Sequence, residues 1–427
     1  MSARPRLRRA LSWGVAVACV LVAAACDDGD VPTSTATPTA TDGAPAPPSD
    51  APSASPTPAT EAGEPDPQPS AGDTGDLLLA WTLGGLPPGF VDAVAALPEV
   101  EQVTVVAGDL VDLVASADAD GRAADVLDAG WAIPIDAIAI DPAAYAAIRV
   151  AAAGETADVI ANLAPGEALL GATSAELRGL AAGATITLGG GVDLTVRGVV
   201  DDDLVGAAEV VVTTADAAAV GVTTDRFVLL RHRGDHPAVE VAVRGLTDVG
   251  MRVRAEGEWP WLRHGDAVLP QAYVKAQFGE FAYRPTGNGL AIQQDDGWVD
   301  EYLRTLEVPI LGSVTCHRAM AGPLEEALAE LVDAGLAEVV DPAQYAGCHH
   351  PRLVAGDDGV SRHAWGLAID VNAADNARGV VSTQDPRLVE AFTTRGFAWG
   401  GPWLSPDAMH FEYLGTYAGA VPGSDDP

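Results

Sequence analysis

Basic residues are scarce in this chain. Lys275 is its only lysine, and lysine plus arginine total 24 against 60 acidic groups, a net charge of −36. Binding phosphates needs a basic face, and none is visible, so nucleic acid is excluded as a partner. Long apolar runs are missing after Ala25, so no later stretch is expected to cross a bilayer. The triplet Gly189-Gly190-Gly191 has neither the Lys-Ser/Thr nor the spaced glycines of a phosphate loop, which removes nucleotide binding. Between residues 76 and 231 there is no histidine and no cysteine, and the carboxylates there are scattered, so that stretch offers no obvious metal site.

At 427 residues the chain is long enough for two or three domains with proper cores. It begins with Arg4, Arg6, Arg8 and Arg9 before an apolar run, Ala10 to Ala25, the order of a secretory signal over residues 1–26. The run ends in Ala23-Ala24-Ala25-Cys26, which resembles a bacterial lipoprotein cleavage site with Ala23 where leucine is usual. Lipidation of Cys26 is expected, giving an extracytoplasmic protein anchored to the membrane rather than spanning it; release after cleavage and an uncleaved anchor are the alternatives. Cys19 would leave with the signal. With Cys26 lipidated, Cys316 and Cys348 remain to pair in an oxidising compartment, and a disulfide between them is expected. Residues 27–75 are Pro, Thr, Ser, Ala and Asp with almost no large apolar side chains, the composition of a disordered tether.

Residues 76–235 alternate short apolar runs with turn signals. Ala184–Leu188, the glycine triplet and Val192–Val200 read as a β-hairpin, and Ala124–Ala129 and Ser174–Ala182 as short helices, so a mixed α+β domain is expected. Gly166 through Val200 is weakly similar to the extracytoplasmic core domain of certain ABC-transporter permeases, a resemblance that carries over no functional residue. A spacer, or a module docking on an envelope protein, is the expected role. The aromatic residues Trp259, Trp261, Tyr273, Phe278, Phe281, Tyr283 and Trp298 read chiefly as packing.

Chemistry concentrates near the C-terminus. Ser361-Arg-His363-Ala-Trp-Gly366-Leu-Ala-Ile-Asp370 and Asp407-Ala-Met-His410-Phe-Glu412 supply two imidazoles and a carboxylate, His363, Asp370 and His410. That set suits a catalytic Zn2+ ion with one position open to water. Residues seven apart face opposite sides of a straight strand, so a turn is needed between His363 and Asp370, and Trp365-Gly366 is the place for it. Leu367–Val371 then reads as a buried strand, and His410-Phe-Glu-Tyr as a strand returning the third donor. Asp407 is the candidate general base and Glu412 its rival. His317, His349, His350 and Arg352 read as cleft-edge residues. Pro323 opens a helix with Leu324, Ala327, Leu328, Leu331 and Val332 on one face, and Asp385-Pro386 opens another with Leu388, Val389 and Phe392 inward.

The Ser-x-His-(x)6-Asp spacing followed by Asp-x-x-His-Phe-Glu resembles the M15 family of zinc peptidases that cut peptidoglycan stem peptides, over Glu301 to Leu414. The resemblance implies an M15-like (hedgehog/D-Ala-D-Ala peptidase-type) domain over residues 250–420 with His363, Asp370 and His410 on zinc. It also implies Asp407 as the base, Glu412 as support behind a ligand, and Arg318 carried to the cleft by the strand before it. The expected substrate is a peptidoglycan stem peptide, cut as an endopeptidase or as a carboxypeptidase. The alternatives are a non-catalytic peptidoglycan-binding lipoprotein with this fold, and a regulatory envelope protein acting through its middle domain.

Overall fold

The strands of the first half are of two kinds: Ile133–Ile140 and Asp225–His232 are buried almost throughout, and others alternate. In Val192–Val200 the burial alternates, with Asp193, Thr195, Arg197 and Val199 outward and Leu194, Val196, Gly198 and Val200 inward, the signature of a strand with one covered face. The computed structural model describes residues 76–258, 262–354 and 359–420, all within the unit Pro69–Pro427. The expectations for the signal, Cys26, the tether, Trp259 and Trp261 lie outside the described residues.

Ten strands make one mixed sheet: β1 Asp76–Thr82, β2 Val100–Ala117, β3 Ala123–Val126, β4 Ile133–Ile140, β5 Glu167–Gly171, β6 Thr185–Leu188, β7 Val192–Val200, β8 Val210–Thr213, β9 Asp225–His232 and β10 Met251–Ala255. Their order is β10-β1-β9-β2-β4-β8-β5-β7-β6, with β3 beside β2. The 18-residue β2 pairs β9 along its first half and β6 at its end, with a register shift between Leu113 and Ala115. The β2–β6 pairing closes β2, β4, β8, β5, β7 and β6 into a ring. One face of all six strands, including Leu113, Ile135, Leu170, Ile186, Val196 and Val212, forms a single apolar cluster. The mixed α+β expectation matches this half, as does the glycine hairpin: Leu188 pairs Val192, and Gly190 and Gly191 take φ of 78° and 77°.

Two details differ from the sequence reading. Ala124–Ala129 does not form a helix. Its first residues lie in β3, where Val126 pairs Ala115 and the Ser116 hydroxyl donates to Asp125 at 2.5 Å, so sheet pairing overrides alanine's helix preference. The sheet also continues past residue 235. The helix His236–Arg244 packs on it, and β10 pairs β1 from Thr82–Met251 to Leu78–Ala255.

The later residues are joined to the sheet through buried charge. The helix Gln271–Phe278 carries Lys275, whose ammonium meets Glu209 at 2.7 Å and Glu280 at 2.9 Å and donates to the Pro134 carbonyl, while Arg178 holds Glu280 at 2.5 Å. Two cations face two carboxylates, so none of these charges is buried alone. The aromatic residues Phe278, Phe281, Tyr283 and Trp298 are buried beside Ala132 of the first half, as packing.

The remaining strands are short: β11 Tyr283–Pro285 with β12 Ile292–Gln294, β13 Leu303–Val308 with β14 Gly312–His317, and β15 Ala368–Asp370, β16 Phe397–Trp399 and β17 His410–Tyr413 in the order β15-β17-β16. The helices Ala321–Asp333 and Pro386–Thr393 pack Leu324, Leu328, Leu331, Leu388 and Phe392 against Ile369, Phe397 and Phe411. Val332 leaves this stripe and is 45% exposed. Eight residues beyond Leu324 it has drifted about 80° round the helix. Cys316 of β14 and Cys348 form a disulfide, with Cα atoms 5.5 Å apart.

Candidate metal centre

Asp370 and His410 are direct cross-strand partners on β15 and β17, so their side chains share a face. The next pair, Ile369 and Phe411, points the other way into the core and fixes which face that is. His363 reaches the same face because the chain turns before β15. The Ser361 hydroxyl accepts the His363 N–H at 3.3 Å and opens a short 3-10 turn, Arg362–Trp365, and Gly366 follows at φ 65°. A side chain at Gly366 would stand 2.8 Å from the His317 nitrogen, so only glycine makes this turn. The turn expected at Trp365-Gly366 is present.

Three buried donors meet as a result. His410 Nδ1 lies 2.9 Å from Asp370 Oδ1, His363 Nε2 lies 3.2 Å from Asp370 Oδ2, and the two ring nitrogens are 3.2 Å apart. A tetrahedral zinc ion with bonds of about 2.0–2.1 Å holds its ligand atoms roughly 3.3 Å apart. The outer nitrogens decide the tautomers. His363 Nδ1 faces only the Cys348 carbonyl at 2.8 Å, and His410 Nε2 faces Glu412 Oε1 at 3.4 Å; both partners are acceptors, which assigns the protons to those nitrogens. Two lone pairs and a carboxylate are then left facing one another, an arrangement that repels itself unless a cation sits among them. These residues fit a divalent metal with two nitrogen ligands and one oxygen ligand.

The electrostatics agree with that geometry. Where protons rather than a cation sit on the inner nitrogens, burial by itself would raise the Asp370 carboxyl, but hydrogen bonds from the two imidazoles and their charge hold it below the usual carboxylate range. Burial would lower His410, yet its bonds to Asp370 and Glu412 raise it to about 10. Asp407 is half-buried, and burial pushes its carboxyl up, opposed by His410 and assisted by Asp370. Its Oδ1 is buried with no hydrogen-bond partner among the described residues. Glu412, the rival base, is buried behind His410 and accepts weakly from the Val268 N–H at 3.4 Å. Its place is on the outer nitrogen of a ligand, away from the three donor atoms.

Arg318 stands apart from this cluster. Its side chain is 49% exposed, its guanidinium lies 4.7 Å over the Tyr302 ring, and Glu301 Oε1 is 3.7 Å away. Among the described residues it has no hydrogen bond or ion pair to His363, Asp370 or His410. His317 is core, its Nε2 donating to the Phe278 carbonyl at 3.1 Å. His349 bonds Gln294, and His350 is exposed. Sequence reasoning missed the Cys348 carbonyl, since a backbone acceptor leaves no mark in side-chain identity. The Trp403 ring packs 5.2 Å from that of His410.

A family model for M15 peptidases, described as D-alanyl-D-alanine carboxypeptidase, matches residues 355–413. The C-terminal region is M15-like. His363, Asp370, Asp407, His410 and Glu412 all fall inside the match. No curated protein matches the chain. Among solved structures, the periplasmic region of MacB from Actinobacillus actinomycetemcomitans is similar over 42% of this chain and 88% of that one, at 7% identity and a TM-score of 0.27. The extracellular domain of the noncanonic ABC-type transporter YknZ from Gram-positive bacteria is similar over 42% and 99%, at 12% identity and a TM-score of 0.28. Among the described residues no helix is long and apolar enough to cross a membrane.

Proposed function

We propose that the protein is a zinc-dependent peptidase acting on peptidoglycan stem peptides at the cell envelope, held there through Cys26 and residues 27–75. One observation carries the reading: His363 and His410 each spend their outer nitrogen on an acceptor, which turns both remaining lone pairs onto Asp370. The M15-like match over the same residues supports the peptidase class.

When bound, the zinc ion supplies Lewis acidity to a substrate carbonyl and acidifies a water. The residues do the rest. Cys348 and Glu412 hold the imidazoles in the ligating tautomer. Asp407, its carboxyl raised and one oxygen unpartnered, takes the proton from the attacking water and returns it to the leaving amine. Arg318, which stands apart from the donors, is assigned to the substrate's carboxylate. Its pair with Glu301 is long and solvent-exposed, so exchanging partners costs little.

The test is hydrolysis of purified muropeptides with parallel zinc analysis, wild type against His363→Ala. Loss of both the ion at this cluster and the hydrolysis supports the proposal. Turnover that persists in His363→Ala ends it.

A further inference from the structure

His232, at the end of β9, is 0% exposed, and among the described residues neither ring nitrogen has a hydrogen-bond partner. An imidazole buried this way forfeits two polar interactions, so something absent from the protein atoms is expected to satisfy it. Two further donors face it. Asp76 opens β1 directly opposite His232 in the antiparallel pair, so the two side chains share a face. His236, the first residue of the helix His236–Arg244, brings its ring to 5.5 Å from that of His232. One ligand atom from each lies within 4.8 Å of the other two. The neighbouring guanidiniums are engaged elsewhere: Arg231 donates to the Ile148 carbonyl at 2.6 Å, and Arg233 pairs with Glu101 at 2.5 Å.

We propose that Asp76, His232 and His236 form a second zinc site, a staple that fixes the start of β1 to the end of β9 and to the helix that follows. Two imidazoles and one carboxylate suit zinc over magnesium or calcium, which prefer all-oxygen shells. Among the described residues the His232 nitrogens bond neither Asp76 nor His236, so binding would draw the donors toward the roughly 3.3 Å of a tetrahedral site. Asp76 is exposed and His236 half-buried, so both are free to make that movement. The helix N-terminus at His236 opposes a cation, an effect of under about tenfold that three ligands outweigh. The role is structural. Among the described residues no unpartnered carboxylate comparable to Asp407 accompanies the three donors.

The test counts zinc per chain by mass spectrometry in the full-length protein after dialysis, for wild type, His236→Gln, Asp76→Asn and His363→Ala. The expected counts are two in wild type and one in each variant, with muropeptide hydrolysis kept in His236→Gln and Asp76→Asn. In the His363→Ala background, added zinc should raise the melting temperature, and adding His236→Gln should abolish that rise. Asp76→Asn, an exposed change, covers the case in which His236→Gln folds poorly. A wild-type count that neither His236→Gln nor Asp76→Asn lowers overturns the staple. A single ion lost with His236→Gln and kept in His363→Ala supports the staple and refutes the peptidase centre instead.

Discussion

His363, Asp370 and His410 offer the same three functional groups as Asp76, His232 and His236, in different surroundings. In the first set all three donors are buried, and both imidazoles are aimed by an acceptor behind them, the Cys348 carbonyl and Glu412. In the second only His232 is buried, and among the described residues no acceptor stands behind its ring. Asp407, with an unpartnered oxygen and a raised carboxyl, neighbours the first set alone. Ligand identity would suffice for binding a metal, while hydrolysis would also need aimed ligands and a nearby base.

The largest expected effect removes the base and leaves the ligands. Asp407→Asn should keep the zinc content and lower muropeptide turnover by about 10²–10⁴-fold; zinc retention alongside normal turnover would dissolve the distinction between the two clusters. Glu412→Gln comes next. Taking the charge from behind His410 should weaken zinc at this cluster by roughly 10–100-fold, read by competition with a chelator, with the Asp76–His232–His236 count unchanged. Equal weakening at both clusters would show that Glu412 acts through global stability. Cys316→Ala with Cys348→Ala follows. Opening a bridge that spans 32 residues should cost about 3–4 kcal/mol by urea unfolding. It also frees the backbone that bonds His363, so zinc should leave the first cluster more easily than the second.

Local signals made much of the C-terminal half legible. Gly366 was readable because a donor on each side of it had to face one ion, and Asp385-Pro386 because it caps a helix through the Arg387 N–H at 2.9 Å. Ala124–Ala129 was misread because the pairing that makes it a strand comes from β2, whose bend is not written in that segment. The resemblance implied a cleft role for Arg318, yet its guanidinium lies over Tyr302, set by how the helix Asp296–Tyr302 meets β14. The cluster around His232 escaped for a related reason. Asp76 and His232 are partners only through the β1–β9 register, and no short motif joins them.

The smallest effect concerns the scaffold of the first cluster. His317 follows Cys316 on β14, and its ring is held neutral: Nδ1 accepts the Ala319 N–H at 3.1 Å, and Nε2 donates to the Phe278 carbonyl. Burial pushes its pKa down to about 4, with the nearby Arg318 charge helping and the Phe278 bond opposing. An unfolded histidine titrates near 6.5. Between those values the unfolded chain binds a proton that the folded chain refuses, so stability is complete above about pH 6.5 and declines toward pH 4. His317→Gln, which stays neutral, should flatten that decline. Protons also compete with metals for histidine ligands, so the comparison belongs in metal-free protein, as urea midpoints at pH 7.5, 6 and 5. Subtracting the variant's slope cancels the carboxylates and the similarly depressed His349. Identical slopes would mean that His317 takes up its proton without disturbing β14, and the acid sensitivity of the first cluster would then rest on its ligands alone.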